Sequence, residues 1–344
     1  MEPLLRVENL RLAFSSDWGT REALDGVSFS VFPKEILCIV GESGSGKSVS
    51  ALSIMGLLDN NAQVLEGACY LGDVDLLRLS ERQLDRYRGS EIAMIFQDAM
   101  SSLNPVFTIG NQVMEAVLAN NPGMGKQEAE RKSIALLDRV GLEDTVDLMK
   151  RYPKALSGGM RQRVMIAMAL AGKPQLLIAD EATTALDVTI QAQIMELLQS
   201  LRETEDMAVI LITHDIGLVA QMADRVLVMY AGQIVEQASV KDLFLHAAHP
   251  YTKALMRAVP SVHFDKSKQL VSIEGQVPEN YDRMTGCRFL TRCPYAQEGC
   301  ELPQPLACVH EDCTESEQRV RCHLAVQGKI PDNPEKDFMA KEGK

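Results

Sequence analysis

The stretch that most constrains this chain is GESGSGKS, residues 41–48, which reads G-x-x-x-x-G-K-S. It follows Leu37, Cys38, Ile39 and Val40, a short apolar run suited to a buried parallel strand, and the residues after it read as a helix. A glycine-rich turn between such a strand and helix lets the backbone N–H groups of Gly41, Ser43, Gly44, Ser45 and Gly46 curl around phosphate oxygens. Lys47 is placed to neutralise the outer phosphates, and the Ser48 hydroxyl to hold Mg²⁺. The loop says nucleotide; by itself it says nothing about use.

Two later strand ends add chemistry. PQLLIADEATTALD (174–187) is an apolar strand ending in Asp180 and Glu181. At that place one aspartate can support Mg²⁺ through water, and the next carboxylate can orient an attacking water. MAVILIT (207–213) is a third apolar strand, followed by His214 and Asp215 at its carboxyl end, where ligands gather in a parallel sheet. Between them, LSGGMRQRVMIAMAL (156–170) sets Ser157, Gly158 and Gly159 before a helical apolar pattern, so it reads as a second phosphate-seeking helix start. One nucleotide has little use for two cradles from one chain; a partner subunit's nucleotide would explain the second.

Composition narrows the class. The net charge of -12 argues against a protein that coats nucleic acid. No apolar run reaches the roughly 18–20 residues of a membrane-spanning helix, and MEPLLRVENL lacks a secretory signal, so a cytosolic chain is expected. Of eight cysteines, Cys38 and Cys69 stand apart, with Cys38 read as a small core residue. The other six crowd into residues 287–322. In a reducing compartment that crowding reads as metal or cluster binding before disulfides. The spacing C-x₅-C-x₆-C-x₇-C-x₄-C fits neither a routine zinc site nor a ferredoxin pattern, and it leaves cluster, zinc, unligated thiols and disulfides all open.

GESGSGKS, IFQD, LSGGM, LLIADE, TALD and THD, in that order, resemble the ATP-binding subunits of ABC transporters over about residues 4–325. The resemblance implies an α/β fold: a P-loop ABC-type nucleotide-binding domain with a RecA-like parallel-sheet core, an antiparallel β part and a helical subdomain, followed by a small irregular Cys-rich region. It implies ATP and Mg²⁺ as ligands. Carried over by position, Gln97 reaches Mg²⁺ and the attacking water, Ser157–Gly159 cap the partner's nucleotide, and Asp180 supports Mg²⁺. Glu181 is the implied general base, Asp187 belongs to the loop crossing the dimer interface, and His214 contacts the γ-phosphate. Phe14 holds the place of the aromatic that stacks on adenine, with Trp18 as rival. Two departures stand out: Met160 where the signature usually has Gln, and Ala182 where Pro usually follows the glutamate.

AMIFQDAMSSLNPVFTIGNQVMEAV (93–117) and HPYTKALMRAVP (249–260) resemble the dipeptide, oligopeptide and nickel importer branch. This implies a heterodimer with a homologous ATPase subunit, two membrane-spanning permease subunits, an external substrate-binding protein, and a place at the cytoplasmic face of the inner membrane. It also matches Cys287, Cys293, Cys300 and Cys322 to a pattern that holds a [4Fe–4S] cluster in some members, leaving Cys308 and Cys313 outside it. The expected layout is an ABC domain over 1–260 with the helical subdomain at about 98–170, a Cys-rich region over 261–325, and a frayed tail over 326–344. A soluble ABC ATPase acting on nucleic acid or ribosomes is the rival, against which stand a single cassette and the acidic balance. A non-hydrolytic module is opposed by Glu181 and His214.

Overall fold

The computed structural model describes residues 2–17, 19–96, 102–181, 187–258, 273–309 and 318–331. The chain opens with strands β1 (Leu5–Ser16), β2 (Gly19–Val31) and β3 (Ile36–Val40), helix α1 (Lys47–Met55), and strands β4 (Ala62–Leu71) and β5 (Val74–Asp75). A short α2 (Glu81–Leu84) and β6 (Ile92–Ile95) lead into helices α3 (Ile109–Ala119), α4 (Lys126–Arg139), α5 (Thr145–Leu148) and α6 (Gly158–Ala169). Next come β7 (Leu176–Asp180), α7 (Val188–Glu205), β8 (Ala208–Ile212), α8 (Ile216–Met222), β9 (Arg225–Tyr230) and β10 (Gln233–Ser239).

Two sheets result. The antiparallel one runs β2-β1-β4-β5; the larger contains β9-β3-β8-β7-β6, all parallel. The centre of the larger sheet is buried on both faces, which is why β3, β7 and β8 are continuous aliphatic runs rather than alternating ones. Side chains still alternate between faces. Ile36, Cys38 and Val40 join a core shared with α3, α4, α6 and α7, whereas Leu37 and Ile39 pack with β1, β2 and α1. Cys38 is fully buried in that core, and burial pushes its thiol pKa well up, as befits a structural residue. The parallel strand ends therefore all open toward the phosphate loop.

β9 and β10 form a hairpin, with Ala231 (φ 47°) and Gly232 (φ 81°) supplying the two left-handed positions of a tight turn. Two helices follow, α9 (Val240–His246) and α10 (Pro250–Arg257), separate because Pro250 can start a helix but not continue one. Beyond α10, most of 273–309 and 318–331 is turns and irregular backbone, yet β11 (Ala307–Cys308) and β12 (Arg319–Val320) extend the large sheet past β10. Strands of two residues are too short to show a period in sequence. A short α11 (His323–Val326) follows. The start of the expected frayed tail is docked: Ile330 is buried and Lys253 Nζ donates to the Pro331 carbonyl.

Candidate functional site

Local backbone chemistry makes the phosphate loop. Gly41 sits at φ 152°, and Met229 O fills the space that a Cβ would need. Gly46 sits at φ 102° with Leu24 Cδ2 2.7 Å from the point where its Cβ would lie. No other residue fits at either position. Lys47 is buried, its Nζ donating to the carbonyls of Gly41 (2.9 Å) and Glu42 (3.1 Å) across the loop. Burial lowers its pKa, while Glu181, Asp180 and Glu42 pull it back up. Ser45 Oγ is buried without a partner, a polar atom left over inside the loop.

The carboxylates arrive from the neighbouring strand. Ser48 Oγ, in the first turn of α1, donates to Asp180 Oδ1 at 3.0 Å. Asp180 is 5% exposed; burial raises its pKa, and the Ser48 bond partly offsets this. Glu181 lies just past the strand at φ 45°, its N–H donating to Ile212 O at 2.9 Å, and its Oε1 is 3.6 Å from His214 Nδ1. His214 is 60% exposed at its side chain, so it faces the open end of the sheet. Asp215 caps α8 through Gly217 N and Leu218 N and accepts from Gln191 Nε2, which anchors the His214 loop to α7. The structure thus brings Lys47, Ser48, Asp180, Glu181 and His214 into one place.

Ser157 caps α6, its Oγ accepting from Met160 N at 3.3 Å. The Met160 side chain packs against the core, so the departure at this position replaces a polar group by an apolar contact. Gly159 lets α6 approach α7: a Cβ there would stand 2.5 Å from Ile190 Cγ2. Gly158 is exposed. Asp187 caps α7 by accepting from Ile190 N at 3.0 Å. Phe14 is half-buried on β1, opposite Arg21 and Ala62. Gln97, Trp18 and Ala182 lie outside the described residues.

A second constellation lies in the C-terminal segment. Cys287, Cys293, Cys300 and Cys322 line one small pocket together with His249, Phe289 and His323. Burial is the main cause raising the thiol pKa values of Cys287 (pushed up to about 12), Cys293 and Cys322, and the neighbouring cysteines add to it. His249 is fully enclosed, and burial lowers its pKa to about 3, so it is neutral. Its Nδ1 accepts from Tyr251 N (3.0 Å), which places the proton on Nε2. That Nε2 is buried beside the Arg321 backbone, which holds the ring from its other side. Among the described residues no group of three or more His, Cys, Asp or Glu is placed to hold a metal ion, and this holds for zinc and for the expected iron–sulfur cluster alike. The expectation that disulfides are disfavoured is corrected at one position: Cys308 is disulfide-bonded. Among the described residues, the stretch 273–309 holds no long helix or strand that would keep cysteines apart. Cys313 lies outside the described residues.

Sequence reasoning missed the residues that hold these two places together. Glu236 on β10 is fully buried and accepts from Ala248 N, His249 N and Gln318 Nε2. Tyr251 and Arg292 reach Glu42 in the phosphate loop. The only sequence signal was a lone acid in an apolar strand and the HPYTKAL run.

Comparison with known proteins agrees with this geometry. The ABC transporter family model matches residues 24–184, and that of the oligopeptide/dipeptide transporter C-terminal region matches 235–300. The chain is 50% identical over 304 residues to a peptide import ATP-binding protein of Brucella melitensis, covering 88% of this chain and 91% of that one. It is 48% identical over 323 residues to the dipeptide transport ATP-binding protein DppD of Escherichia coli K12, covering 94% and 97%. Among solved structures, the dimeric post-hydrolysis state of the ATP-binding cassette MJ0796 bound to ADP and Pi matches with a TM-score of 0.62 and 28% identity, covering 69% of this chain and 98% of that one.

Proposed function

The chain belongs to the family of ABC-transporter ATP-binding proteins, and from that membership we propose that it is the ATP-hydrolysing subunit of an importer that drives peptide uptake across a membrane. The observation that carries this reading is the Ser48–Asp180 contact at the foot of the phosphate loop, with Glu181 and His214 paired beside it.

In this reading Lys47 exchanges its loop carbonyls for the β and γ phosphates, and the loop N–H groups bind the rest of the chain of phosphates. Ser48 and Asp180, with Gln97, hold Mg²⁺, which when bound neutralises developing charge on the phosphates. The buried Ser45 hydroxyl without a partner and the paired Ser48–Asp180 oxygens are the donor set such a ligand needs. Glu181 takes the proton of the attacking water, and His214 steadies the γ-phosphate. Phe14 stacks on adenine. Ser157, Gly158 and Gly159 offer the start of α6 to the nucleotide of a homologous partner subunit, and Asp187 works across that interface. The finer assignments are a heterodimer beneath two permease subunits, an external binding protein, and dipeptides or short peptides as cargo. No helix among the described residues is long and apolar enough to cross a membrane, so association is peripheral in this reading.

The C-terminal pocket is assigned a [4Fe–4S] cluster held by Cys287, Cys293, Cys300 and Cys322. Four thiols lining one pocket suit a sulfur-rich group. When bound, the cluster supplies cross-links to a segment with little regular structure. ATP turnover by the complex reconstituted with its permease subunits tests the main reading: stimulation by a peptide-loaded binding protein is expected, and an ATPase indifferent to every peptide would overturn it.

A further inference from the structure

The phosphate loop is gripped from outside the cassette core. Glu42, its second residue, donates its backbone N–H to the Tyr251 hydroxyl at 2.9 Å. Its carboxylate accepts two bonds from Arg292, at 2.9 and 3.1 Å. Its carbonyl accepts from Lys47, so the same residue touches both the clamp and the phosphate-binding lysine. Arg292 is itself held: it is 5% exposed, stacks over Tyr230 and Phe289, and donates to Glu274 O and Tyr230 Oη. Tyr230, Tyr251 and Phe289 pack ring on ring with centroids 4.7–5.4 Å apart. Phe289 also lines the thiol pocket, and Arg292 precedes Cys293.

We infer that Arg292 is a positioning residue for ATP binding: through its two-pronged bond to Glu42, the C-terminal segment holds the phosphate loop in register. A planar guanidinium meeting a carboxylate in two parallel bonds fixes direction as well as distance, which a lysine cannot do. Glu42 in turn fixes the carbonyl against which Lys47 is parked. The C-terminal segment is thereby part of the nucleotide site through Arg292. This inference rests on the ATP site described above.

The test measures Mg-ATP affinity of the full chain for wild type, Arg292→Gln, Glu42→Gln, the double variant and Lys47→Ala, together with KM and kcat of the assembled complex. Each single change is expected to weaken Mg-ATP binding about tenfold, the effect of removing one charge-assisted hydrogen bond. The double variant is expected to be no weaker than either single one, because both remove the same bond. KM should rise with kcat changed less than about twofold, and Arg292→Lys should restore affinity only partly. Full affinity in both single variants, or additive losses in the double, overturns the inference. Glu42→Gln leaves the C-terminal segment untouched, so it decides the matter if Arg292→Gln melts early. Lys47→Ala separates the two levels: unchanged binding there would sink the ATP site itself, whereas abolished binding there with Arg292→Gln unaffected sinks only the clamp.

Discussion

At the scale of residues, the site is under electrostatic load before any nucleotide arrives. Asp180 has its pKa raised by burial, so the folded state holds its proton more tightly than the unfolded chain does. The linkage then has a definite sign. Stability is fully present below the ordinary aspartate range and declines as pH rises through it toward the raised folded value. Asp180→Asn is therefore expected to raise the Tm of the nucleotide-free protein near neutral pH by about 2 °C, the scale of a ~1 kcal/mol change in a protein of this size. It should also flatten the decline of Tm with pH above about 4, and Mg-ATP should no longer stabilise it. A lower Tm would mean that the bond from Ser48 outweighs the buried charge. Glu181→Gln keeps size and polarity but removes the base. Hydrolysis is expected to fall at least about 100-fold, with ATP binding retained; full turnover measured by phosphate release would remove Glu181 from that role.

At the scale of elements, close approach decides more than propensity. α6 and α7 meet at Gly159, where any side chain would strike Ile190. Gly159→Ala is expected to move the start of α6 outward and to destabilise the fold by about 1–3 kcal/mol, the cost of overpacking a contact. Chemical denaturation checks the stability. ATP-dependent dimerisation checks the function, because the proposed function has the displaced helix start meet the partner's nucleotide. Gly158→Ala, at the exposed neighbouring position, is the control and should leave stability within about 0.5 kcal/mol. The strand ends obey the same logic. β3, β7 and β8 carry the reactive residues at one edge because parallel strands must all end on the same side.

At the scale of the whole molecule, the two constellations share one framework. Glu236 ties β10 to the start of α10, and Arg292 ties the thiol segment to the phosphate loop. If the pocket holds a cluster, anaerobically purified protein should be brown and contain iron, and Cys293→Ser should lose the visible absorption and most of the iron. Iron and colour surviving that change would reject the ligand set. Removing a cross-link from so irregular a segment is also expected to lower Tm, read by calorimetry under anaerobic conditions.

How much of this was legible in sequence follows from the range of the interactions. GESGSGKS, the apolar strands ending at Asp180 and Ile212, and the helix start at Ser157 all depend on neighbours within a few residues. Local patterns therefore located them, together with the α/β core. The alternation that sends Cys38 and Leu37 to opposite faces of β3 was equally implicit in a two-residue period. The partners of Glu42 lie 209 and 250 residues away, and the four thiols converge across turns with no period to read. β11 and β12 are strands only because β10 offers an edge. Contacts between distant segments are set by the packing of the whole core, so the clamp on the phosphate loop and the closing of the thiol pocket became visible only once the chain was folded.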